Sequence, residues 1–548
     1  MEESISEEGE TSVCNFNDPC GQNNNIAKYQ CEIKQSKENN GKICRSYEHL
    51  PAILSVLLVC LAPIVAGFVL GYSSPASESL ESMDDKGFYL NAEESSWFGS
   101  IVMLTALLGC VASAPCMERL GRKVSIMILL FVYLFGWVFI MASQSVVVLF
   151  VGRSLCGIGF GCTITVVPVY LGEIGPPYIR GSLGTLFNIA MAFGILVAFG
   201  FGAAFQWKGL AEIGGSIVCL AIFCCFVIPE SPYWLLKRGD EQGALRSFKF
   251  LYGGKKYLSA IRKRIIEYKS APVQPSMKFS IESICRPHFY KPICIVVCLH
   301  SFQHFTGINA IVFYAHSIFK TAGFKNEHLP SLLVGMTQAV VMFFTMHLVE
   351  KLGRKKSLML SSLGVAICNA TLGACLFHMS KQNFNEELSA NFSMESANAT
   401  VEGTSPDRDT PVAAWIALSS TLLFMAFFAI GLGPIAFLAL GEILPMSFRG
   451  IGSAVATSVN GISAFLVIKS FRFLSALISP HGVFWCFSVV SVLSTVFAWR
   501  CFPETRGKTL LEIEALFDVK KAPVSKISDV TVDDDKTRSM EATSLTSV

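Results

Sequence analysis

The sequence predicts an all-α membrane protein in which twelve transmembrane helices form two six-helix bundles, with short cytoplasmic helices between them. Three observations predict this fold class. The composition is apolar, since 52% of the 548 residues are hydrophobic and only 16% are charged, whereas soluble domains carry about 25% charged residues. Apolar stretches of about 20 residues, the length that a helix needs to cross a bilayer, recur along the chain. The two halves of the chain also repeat the same short motifs in the same order.

The apolar stretches define twelve predicted spans, because a helix satisfies its own backbone hydrogen bonds inside lipid. We number them span one to span twelve, near residues 53–73, 97–117, 124–143, 147–171, 183–205, 208–229, 291–319, 329–350, 357–378, 413–440, 451–474 and 482–502. The predicted regions are an amino-terminal tail (1–52), a first bundle (53–229), a helical cytoplasmic linker (230–290), a second bundle (291–502) and a carboxy-terminal tail (503–548). Both tails are polar, so we expect them to be largely disordered.

Charged loops predict the orientation, because positively charged segments stay on the cytoplasmic side. The segment after span six holds 13 Lys or Arg residues from Lys237 to Lys291, whereas residues 74–96 and 379–411 are mainly acidic. Both termini are therefore predicted to be cytoplasmic. The plasma membrane is the expected location, with an internal membrane as the alternative. The glycosylation sequons at Asn391 and Asn398 fall on the predicted outer side, while a third sequon, at Asn369, lies within span nine and should be unreachable.

Several function classes are excluded by what the sequence lacks. It has no nucleophile elbow, no phosphate-binding loop and no pair of intramembrane carboxylates, so we expect no enzyme. No Cys/His spacing suggests a metal site, and we expect no cofactor and no disulfide framework. The net charge of +3 follows from the topology and gives no reason to expect a nucleic-acid partner. The terminal Thr546-Ser-Val548 fits a ligand of a PDZ domain, in which the carboxylate and the last apolar side chain extend a sheet edge.

An internal duplication relates the two halves. Gly-Arg-Lys follows span two at residue 121 and span eight at residue 353, and a Gly-Glu-Ile segment leaves spans four and ten. Pro-Glu-Ser-Pro ends span six, and Pro-Glu-Thr-Arg-Gly ends span twelve. We predict a cytoplasmic gate made of the charged residues in these motifs, namely Glu118, Arg122, Glu173, Arg180, Glu230, Glu350, Arg354, Glu442 and Arg449. The hypothesis is a latch between the bundles that forms when the outside is open, and the alternative is charge that only sets the topology.

The same motifs resemble those of the sugar porter family of the major facilitator superfamily, over roughly residues 50–515. Val169-Tyr-Leu-Gly-Glu-Ile174 and Gly307-Ile-Asn-Ala310 are further marks of that family. Leu70-Gly-Tyr-Ser-Ser-Pro-Ala76 is similar to the same segment of class III facilitative hexose transporters and insect facilitated trehalose transporters. The resemblance implies the major facilitator fold, alternating access to a central site, and transport of a hexose or trehalose. A non-transporting sugar sensor on the same scaffold is the alternative.

Intramembrane amides are the side chains to examine for such a site. An amide offers donors and an acceptor to a neutral polyol without the cost of burying a charge. Five amides match positions that bind hexose in the family: Asn188, Gln303, Asn309, Gln338 and Asn460. The alternative for each is hydrogen bonding between helices. Gly307 is predicted to be a hinge between Gln303 and Asn309.

The resemblance adds further candidates for the site. Phe313 and Tyr314 fall where the family has aromatics that close over the sugar from outside, and Phe437 is a candidate for stacking on the sugar ring. His304 stands where a second Gln is usual, and Gly461 replaces a common Trp beside Asn460, which predicts a roomier pocket.

Residue 73 bears on coupling. Proton-driven relatives place an Asp just after the Gly-Tyr pair of span one, where this chain has Ser73. A hydroxyl cannot cycle a proton near neutral pH, so we predict a facilitative uniporter. His304 is the intramembrane group that titrates in the right range, but we expect a neutral imidazole that donates to a backbone carbonyl. A proton-coupled sugar symporter is the alternative.

Overall fold

A computed structural model shows how these predicted spans are arranged. It describes residues 50–81, 89–175, 180–252, 287–322, 324, 328–396, 412–444, 449–508, 512–513 and 516–517. All regular secondary structure within these residues is helical.

In the first half, the described helices follow the six predicted spans and enter the linker. They are α1 (Leu50–Val59), α2 (Leu61–Glu81), α3 (Ala92–Leu120), α4 (Arg122–Met141), α5 (Val146–Ile174), α6 (Arg180–Gly202), α7 (Trp207–Val227), α8 (Pro232–Lys237) and α9 (Glu241–Tyr252). Helices α1 and α2 together form span one, and α3 to α7 form spans two to six. Helices α8 and α9 lie in the linker, where Ser231 caps α8 by accepting a hydrogen bond from the backbone N–H of Trp234.

In the second half, two predicted spans are each built from two helices. The helices are α10 (Pro287–Phe305), α11 (Ile308–Thr321), α12 (His328–Leu352), α13 (Arg354–Ser396), α14 (Val412–Ile430), α15 (Leu432–Glu442) and α16 (Arg449–Arg500). Span seven is α10 followed by α11, and span ten is α14 followed by α15. Spans eleven and twelve lie within α16, which is kinked where Ser479 takes a φ of +65° just before Pro480.

Eleven helical segments of the described residues are long and apolar enough to cross a membrane. The last of them, Gly452–Arg500, has 49 residues and would be roughly 70 Å long if it were straight, about twice what one crossing needs. Because it divides at Ser479, the structure contains the twelve predicted spans.

The two halves of the molecule have separate hydrophobic cores. One core contains only residues of the first half, with Tyr72, Phe98 and Trp137 at its centre. The other consists mainly of second-half residues and takes in first-half side chains such as Leu70 and Phe199 where the bundles meet. The predicted fold class, an all-α membrane protein with two six-helix bundles and short cytoplasmic helices, is confirmed.

The break in span seven requires a glycine. Gly307 has a φ of +95° and a ψ of 6°, in the left-handed region that side chains other than that of glycine rarely adopt. A Cβ atom at this position would lie 2.5 Å from a ring carbon of Phe487. Conformation and space therefore both favour glycine at the predicted hinge.

Candidate functional site

Polar side chains converge at the break of span seven. The Gln303 Oε1 atom accepts a hydrogen bond from the amide nitrogen of Asn460 at 2.9 Å. The Gln303 Nε2 atom donates to the carbonyl of Gly433 at 3.2 Å. On the other side of the break, the amide nitrogen of Asn309 bonds to Nδ1 of His304 at 2.8 Å. The network of Gln303 and Asn460 therefore joins spans seven, ten and eleven, and a second pair lies a few residues away.

The bond from Asn309 decides the role of His304. An amide nitrogen can only donate, so Nδ1 of His304 accepts and the imidazole proton resides on Nε2. Among the described residues that buried Nε2 atom has no hydrogen-bond partner of acceptable geometry, although the ring also lies next to Asn460. The expectation that His304 donates to a backbone carbonyl is therefore wrong, because Nδ1 of the ring accepts from the side-chain amide of Asn309 instead. The ring instead keeps one donor that a ligand hydroxyl could use.

Asn188 and Gln338 lie on spans five and eight, one in each bundle. The amide nitrogen of Asn188 donates to the carbonyl of Gly184 on its own helix at 3.0 Å. The Oε1 atom of Gln338 is buried without a hydrogen-bond partner. Among the described residues neither side chain bonds to the amides of span seven.

The five predicted amides share a buried position. Their exposed fractions lie between 5% and 9%, so none of them faces lipid: Asn188, Gln303, Asn309, Gln338 and Asn460. Because a buried amide carries several donor and acceptor atoms, an oxygen such as that of Gln338 is a ready partner for a ligand hydroxyl. This arrangement suits a neutral, hydroxyl-rich ligand better than a charged one.

Phe313 and Tyr314 lie on the outer side of the amides. They follow Asn309 by four and five residues, roughly 7 Å along the helix. Tyr314 stacks on Phe471 with ring centroids 5.0 Å apart, and its hydroxyl donates to the carbonyl of Ile468 at 3.0 Å. Both side chains are almost fully buried. The structure thus places the two predicted aromatics as a layer between the amides and the outer face.

Beyond this aromatic layer lies a cavity of about 560 Å³. Its walls are mostly polar and come from the outer ends of spans one, five, seven, eight and eleven: Ser74, Pro75, Ser77, Glu78, Ser79, Glu81, Gly202, Ala203, Ala204, Phe205, Gln206, Phe313, Tyr314, Ser317, Lys320, His328 and Arg472. The predicted topology puts these helix ends on the outer side, next to the mainly acidic segment 74–96. The cavity therefore lies on the predicted outer side.

The outer ends of the two bundles are in contact around this cavity. The Ser74 hydroxyl of span one lies 2.8 Å from Nδ1 of His316 in span seven, and Nε2 of His316 lies 3.0 Å from Nδ1 of His328. Arg472 of span eleven forms an ion pair with Glu81 of span one. The structure therefore shows a conformation in which the two bundles are in contact on the predicted outer side.

Phe437 and Gly461 occupy the second bundle near the same network. Phe437 is half-buried and packs edge-on against His300, with ring centroids 5.4 Å apart. A Cβ atom at Gly461 would lie 2.8 Å from a methyl group of Leu107 in span two. The prediction of a roomier pocket beside Asn460 is wrong for this conformation, because the first bundle fills the space that the absent side chain leaves.

The cytoplasmic motifs form two equivalent networks. Arg122 pairs with Glu173 at 2.8 Å in the first bundle, and Arg354 pairs with Glu442 at 3.1 Å in the second. Each pair joins the end of one helix to the start of another within one bundle. The duplication seen in the sequence is therefore also a duplication of contacts.

Two carboxylates complete these networks by capping helices. Glu230 accepts hydrogen bonds from the backbone N–H groups of Arg122 and Lys123, at 2.9 and 3.1 Å. Glu504 does the same for Arg354 at 3.0 Å and for the residue after it at 3.1 Å. A carboxylate at a helix N-terminus is favoured by the free N–H groups and by the helix dipole. Sequence reasoning missed Glu504, although it is the counterpart of Glu230 in the repeat.

The remaining predicted gate residues are less informative. Glu118 lies 3.6 Å from Lys237 in an exposed pair, and Glu350 is exposed. The side chains of Arg180 and Arg449 lie outside the part of the chain that the structure describes. Because the observed pairs lie within single bundles, the latch between bundles stays a prediction.

The three sequons differ in what the structure says of them. Asn369 is fully buried in α13, in agreement with the expectation that it is unreachable. The side chain of Asn391 and all of Asn398 lie outside the described residues, so both remain predictions.

Arg153 is the intramembrane residue that sequence reasoning missed. It is fully buried in span four and donates to the carbonyls of Val69 and Phe98 at 3.2 and 3.3 Å. It also bonds to the hydroxyl of Ser73, and its guanidinium lies 4.6 Å from the ring centre of Phe98. A lone arginine inside an apolar span is by itself a signal of function, and the search for amides passed over it.

Comparisons with known proteins show the family of this chain. The family model described as "Sugar (and other) transporter" matches residues 55–517. The chain belongs to this sugar transporter family. A facilitated trehalose transporter, Tret1, of Apis mellifera ligustica is 34% identical over 483 residues, which cover 87% of this chain and 90% of that protein. The facilitated glucose transporter member 8 of solute carrier family 2 from Bos taurus is 33% identical, covering 85% of this chain and 94% of its own length.

Solved structures show the same fold. The proton:xylose symporter XylE bound to 6-bromo-6-deoxy-D-glucose has a TM-score of 0.65 and 24% identity, covering 86% of this chain and 100% of that chain. The inward open conformation of XylE from E. coli matches with a TM-score of 0.65 and 22% identity, covering 84% of this chain and 99% of that chain. The sugar transporter described here is thus a multi-pass integral membrane protein with the fold of these transporters, and the predicted sugar transporter family is confirmed. It is a transporter and not an enzyme.

Proposed function

We propose that this sugar transporter is a facilitative uniporter that carries a hexose or trehalose by alternating access. The observation that carries this proposal is the environment of Arg153. Within the described residues this buried cation forms no ion pair; it donates to two backbone carbonyls and to one side chain, the hydroxyl of Ser73. A proton-coupled mechanism needs a group that binds and releases a proton during the cycle, and a hydroxyl does not do so near neutral pH.

The sugar site is assigned to the buried amides and the aromatics around them. Gln303, Asn309 and Asn460 offer amide groups from the second bundle, and Asn188 offers one from the first. A sugar that binds between the bundles could exchange its hydration for these hydrogen bonds, for the free donor of His304 and for the oxygen of Gln338. Phe313 and Tyr314 would cover the sugar from the outer side, and Phe437 is assigned as a stacking surface.

The relatives support the choice of substrate class. Tret1 of Apis mellifera ligustica is a facilitated trehalose transporter, and the Bos taurus relative is a facilitated glucose transporter. Both names describe facilitated transport, in line with the absence of a carboxylate partner for Arg153 among the described residues. The choice between a hexose and a disaccharide depends on the shape of the open site.

Reconstitution tests the proposal directly. Purified protein in proteoliposomes is given labelled glucose, fructose, galactose and trehalose in turn, with and without an imposed inward proton gradient. We expect at least one sugar to equilibrate across the membrane without accumulating, and we expect counterflow of that sugar to be lost in the double variant Gln303→Ala/Asn309→Ala. Accumulation driven by the proton gradient would instead establish a symporter. Binding without uptake by the folded protein would establish a sensor.

Placement in the cell is assigned from charge and sequons. We assign the transporter to the plasma membrane, with both termini in the cytoplasm and with Asn391 and Asn398 glycosylated on the outer side. The charged pairs of the cytoplasmic motifs are assigned to a gate that reorganises during transport, and the terminal Thr546-Ser-Val548 is assigned as a ligand for a PDZ domain. Replacing both sequon asparagines with Gln should abolish the glycosidase-sensitive shift in apparent mass on a gel.

A further inference from the structure

The two breaks in the second bundle leave backbone groups without helical partners. At span seven, the N–H of Gly307 bonds to the carbonyl of His304 at 2.9 Å, one residue short of the helical pattern. The Gln303 carbonyl that this bond leaves free accepts from the hydroxyl of Thr306 at 3.0 Å. The carbonyl of Thr306 itself faces the break, so it also needs a partner from elsewhere. An unpaired backbone group buried in a membrane is costly.

Span nine supplies partners at both breaks. The amide nitrogen of Asn369 donates to the carbonyl of Thr306 at 3.0 Å. The hydroxyl of Ser361 accepts from the N–H of Leu432, the first residue after the break in span ten, at 3.0 Å. Asn369 and Ser361 are fully buried on the same helix, α13. A single continuous helix is therefore hydrogen-bonded to both discontinuous helices where they are interrupted.

The other half of the molecule provides an internal comparison. Helices α4 and α13 both begin immediately after the glycine of a Gly-Arg-Lys motif. Counting from that point, Asn369 corresponds to Trp137 and Ser361 corresponds to Leu129. Helix α5, the counterpart of α14 and α15, runs without interruption from Val146 to Ile174.

Span one of the first half shows the same contrast. Span one is divided only at Cys60, where the helical bonds from the N–H of Cys60 to Val56 and from the N–H of Ile64 to Cys60 persist. Beyond it, α2 runs from Leu61 to Glu81, and Trp137 meets it through an edge-on contact with Tyr72 at 5.0 Å. Asn369 and Ser361 thus occupy these two positions in the half whose broken helices lose backbone pairing, whereas an indole and a leucine occupy them in the half whose corresponding helices keep it. General packing of a third helix against its bundle does not account for this difference.

We propose that Asn369 and Ser361 are positioning residues of the transport cycle, which hold the broken helices of spans seven and ten at fixed points on span nine. Asn369 sets the hinge between Gln303 and Asn309, and Ser361 sets the start of α15. The outer segment of each span can then tilt about a held point while its backbone groups stay paired. This role rests on the proposed alternating access, and neither residue contacts the predicted sugar site.

Three single variants of the full-length protein test the role. Asn369→Leu keeps the branching at Cγ and removes the donor, with the smaller Asn369→Ala in reserve if the bulkier Leu variant does not fold. Ser361→Ala removes the acceptor at the second break. Ser362→Ala is the matched control, since Ser362 is equally buried on the same helix but bonds to Leu358 and to Ser494 of span twelve.

Hydrogen–deuterium exchange of the purified protein without sugar measures how well the backbone amides at the two breaks are protected. Asn369→Leu should speed exchange about tenfold at the amides of residues 305–311, the change expected from losing one buried hydrogen bond, and leave residues 428–435 unchanged. Ser361→Ala should do the reverse, and Ser362→Ala should do neither. In counterflow, the first two variants should lower the maximal rate several-fold at an unchanged half-saturating concentration.

Two results would overturn the positioning role. One is equal local exchange in Asn369→Leu and Ser362→Ala, and the other is a change spread over the whole bundle in the first two variants. Wild-type protein that shows no sugar counterflow, yet has the expected exchange pattern, would refute the transport mechanism and leave the hydrogen-bond assignment intact. The sugar-free readout therefore separates the two failures.

Discussion

The hydrogen bond between Gln303 and Asn460 allows a quantitative prediction about the sugar site. Gln303 makes two buried hydrogen bonds, one from Asn460 and one to the carbonyl of Gly433. Each is worth about 1 kcal/mol net, so Gln303→Ala should weaken the organised site by about 2 kcal/mol, or roughly 30-fold in the half-saturating concentration. Asn460→Ala removes only the shared bond and should cost about 1 kcal/mol, or roughly fivefold.

Because the two residues share one bond, their effects should not multiply. The double variant should resemble Gln303→Ala, roughly 30-fold weaker than the wild type and not the roughly 150-fold that independent effects would produce. Asn188→Ala provides the control, since the hydrogen bond of Asn188 goes to Gly184 on its own helix. Combined with Gln303→Ala, it should multiply the effect.

Counterflow in proteoliposomes over a range of sugar concentrations supplies the half-saturating values. Thermal unfolding of each purified variant shows whether a change in the half-saturating concentration arises from loss of folded protein. A double variant that is as weak as the product of the singles would refute the shared network. In that case Gln303 and Asn460 would meet the ligand independently, and the observed bond would have no part in organising the site.

Three further predictions follow from the hinge, the buried cation and the cytoplasmic caps. Gly307→Ala forces a positive φ on a residue with a side chain and brings its Cβ to 2.5 Å from the ring of Phe487. We expect this variant to lose thermal stability and to show at least tenfold slower counterflow. The control Gly441→Ala, with open space at its Cβ, should be neutral. We expect sugar uptake by the wild type to be unaffected by mildly acidic medium; Ser73→Asp places a carboxylate beside Arg153, so uptake by that variant should become pH-dependent in initial-rate assays. Glu504→Gln removes the charge that caps α13 and should lower the free energy of unfolding by about 1 kcal/mol, with an equal loss for its counterpart Glu230→Gln; no change in thermal unfolding would contradict the capping role.

Much of the architecture was predictable because lipid leaves few choices. A long apolar stretch in a bilayer must be a helix, and the loops that carry basic residues identify the cytoplasmic side. The repeated motifs then predicted two equivalent bundles, and the paired contacts of Arg122 with Glu173 and of Arg354 with Glu442 follow that repeat. These predictions depend on composition and order along the chain, which need no knowledge of packing.

For the site, the sequence predicted the candidate residues but not their contacts. The sequence indicated which amides lie inside spans, but it could not tell that Gln303 bonds to Asn460 while Asn188 bonds to its own helix. It also could not show that Leu107 fills the space beside Gly461. Partners of this kind come from helices that are more than a hundred residues apart, and side-chain direction depends on how each helix is rotated about its axis.

The sequence by itself determined that this chain crosses the membrane twelve times, that its halves are related, and that span seven carries neutral amides. The tertiary structure alone decided that Gln303 meets Asn460, which ends of the two bundles are in contact, and that Arg153 meets a hydroxyl. The physical reason is that burial in lipid acts on each segment separately, through its own backbone and its own apolar surface. Hydrogen bonds between segments depend on distances that exist only after the helices have packed.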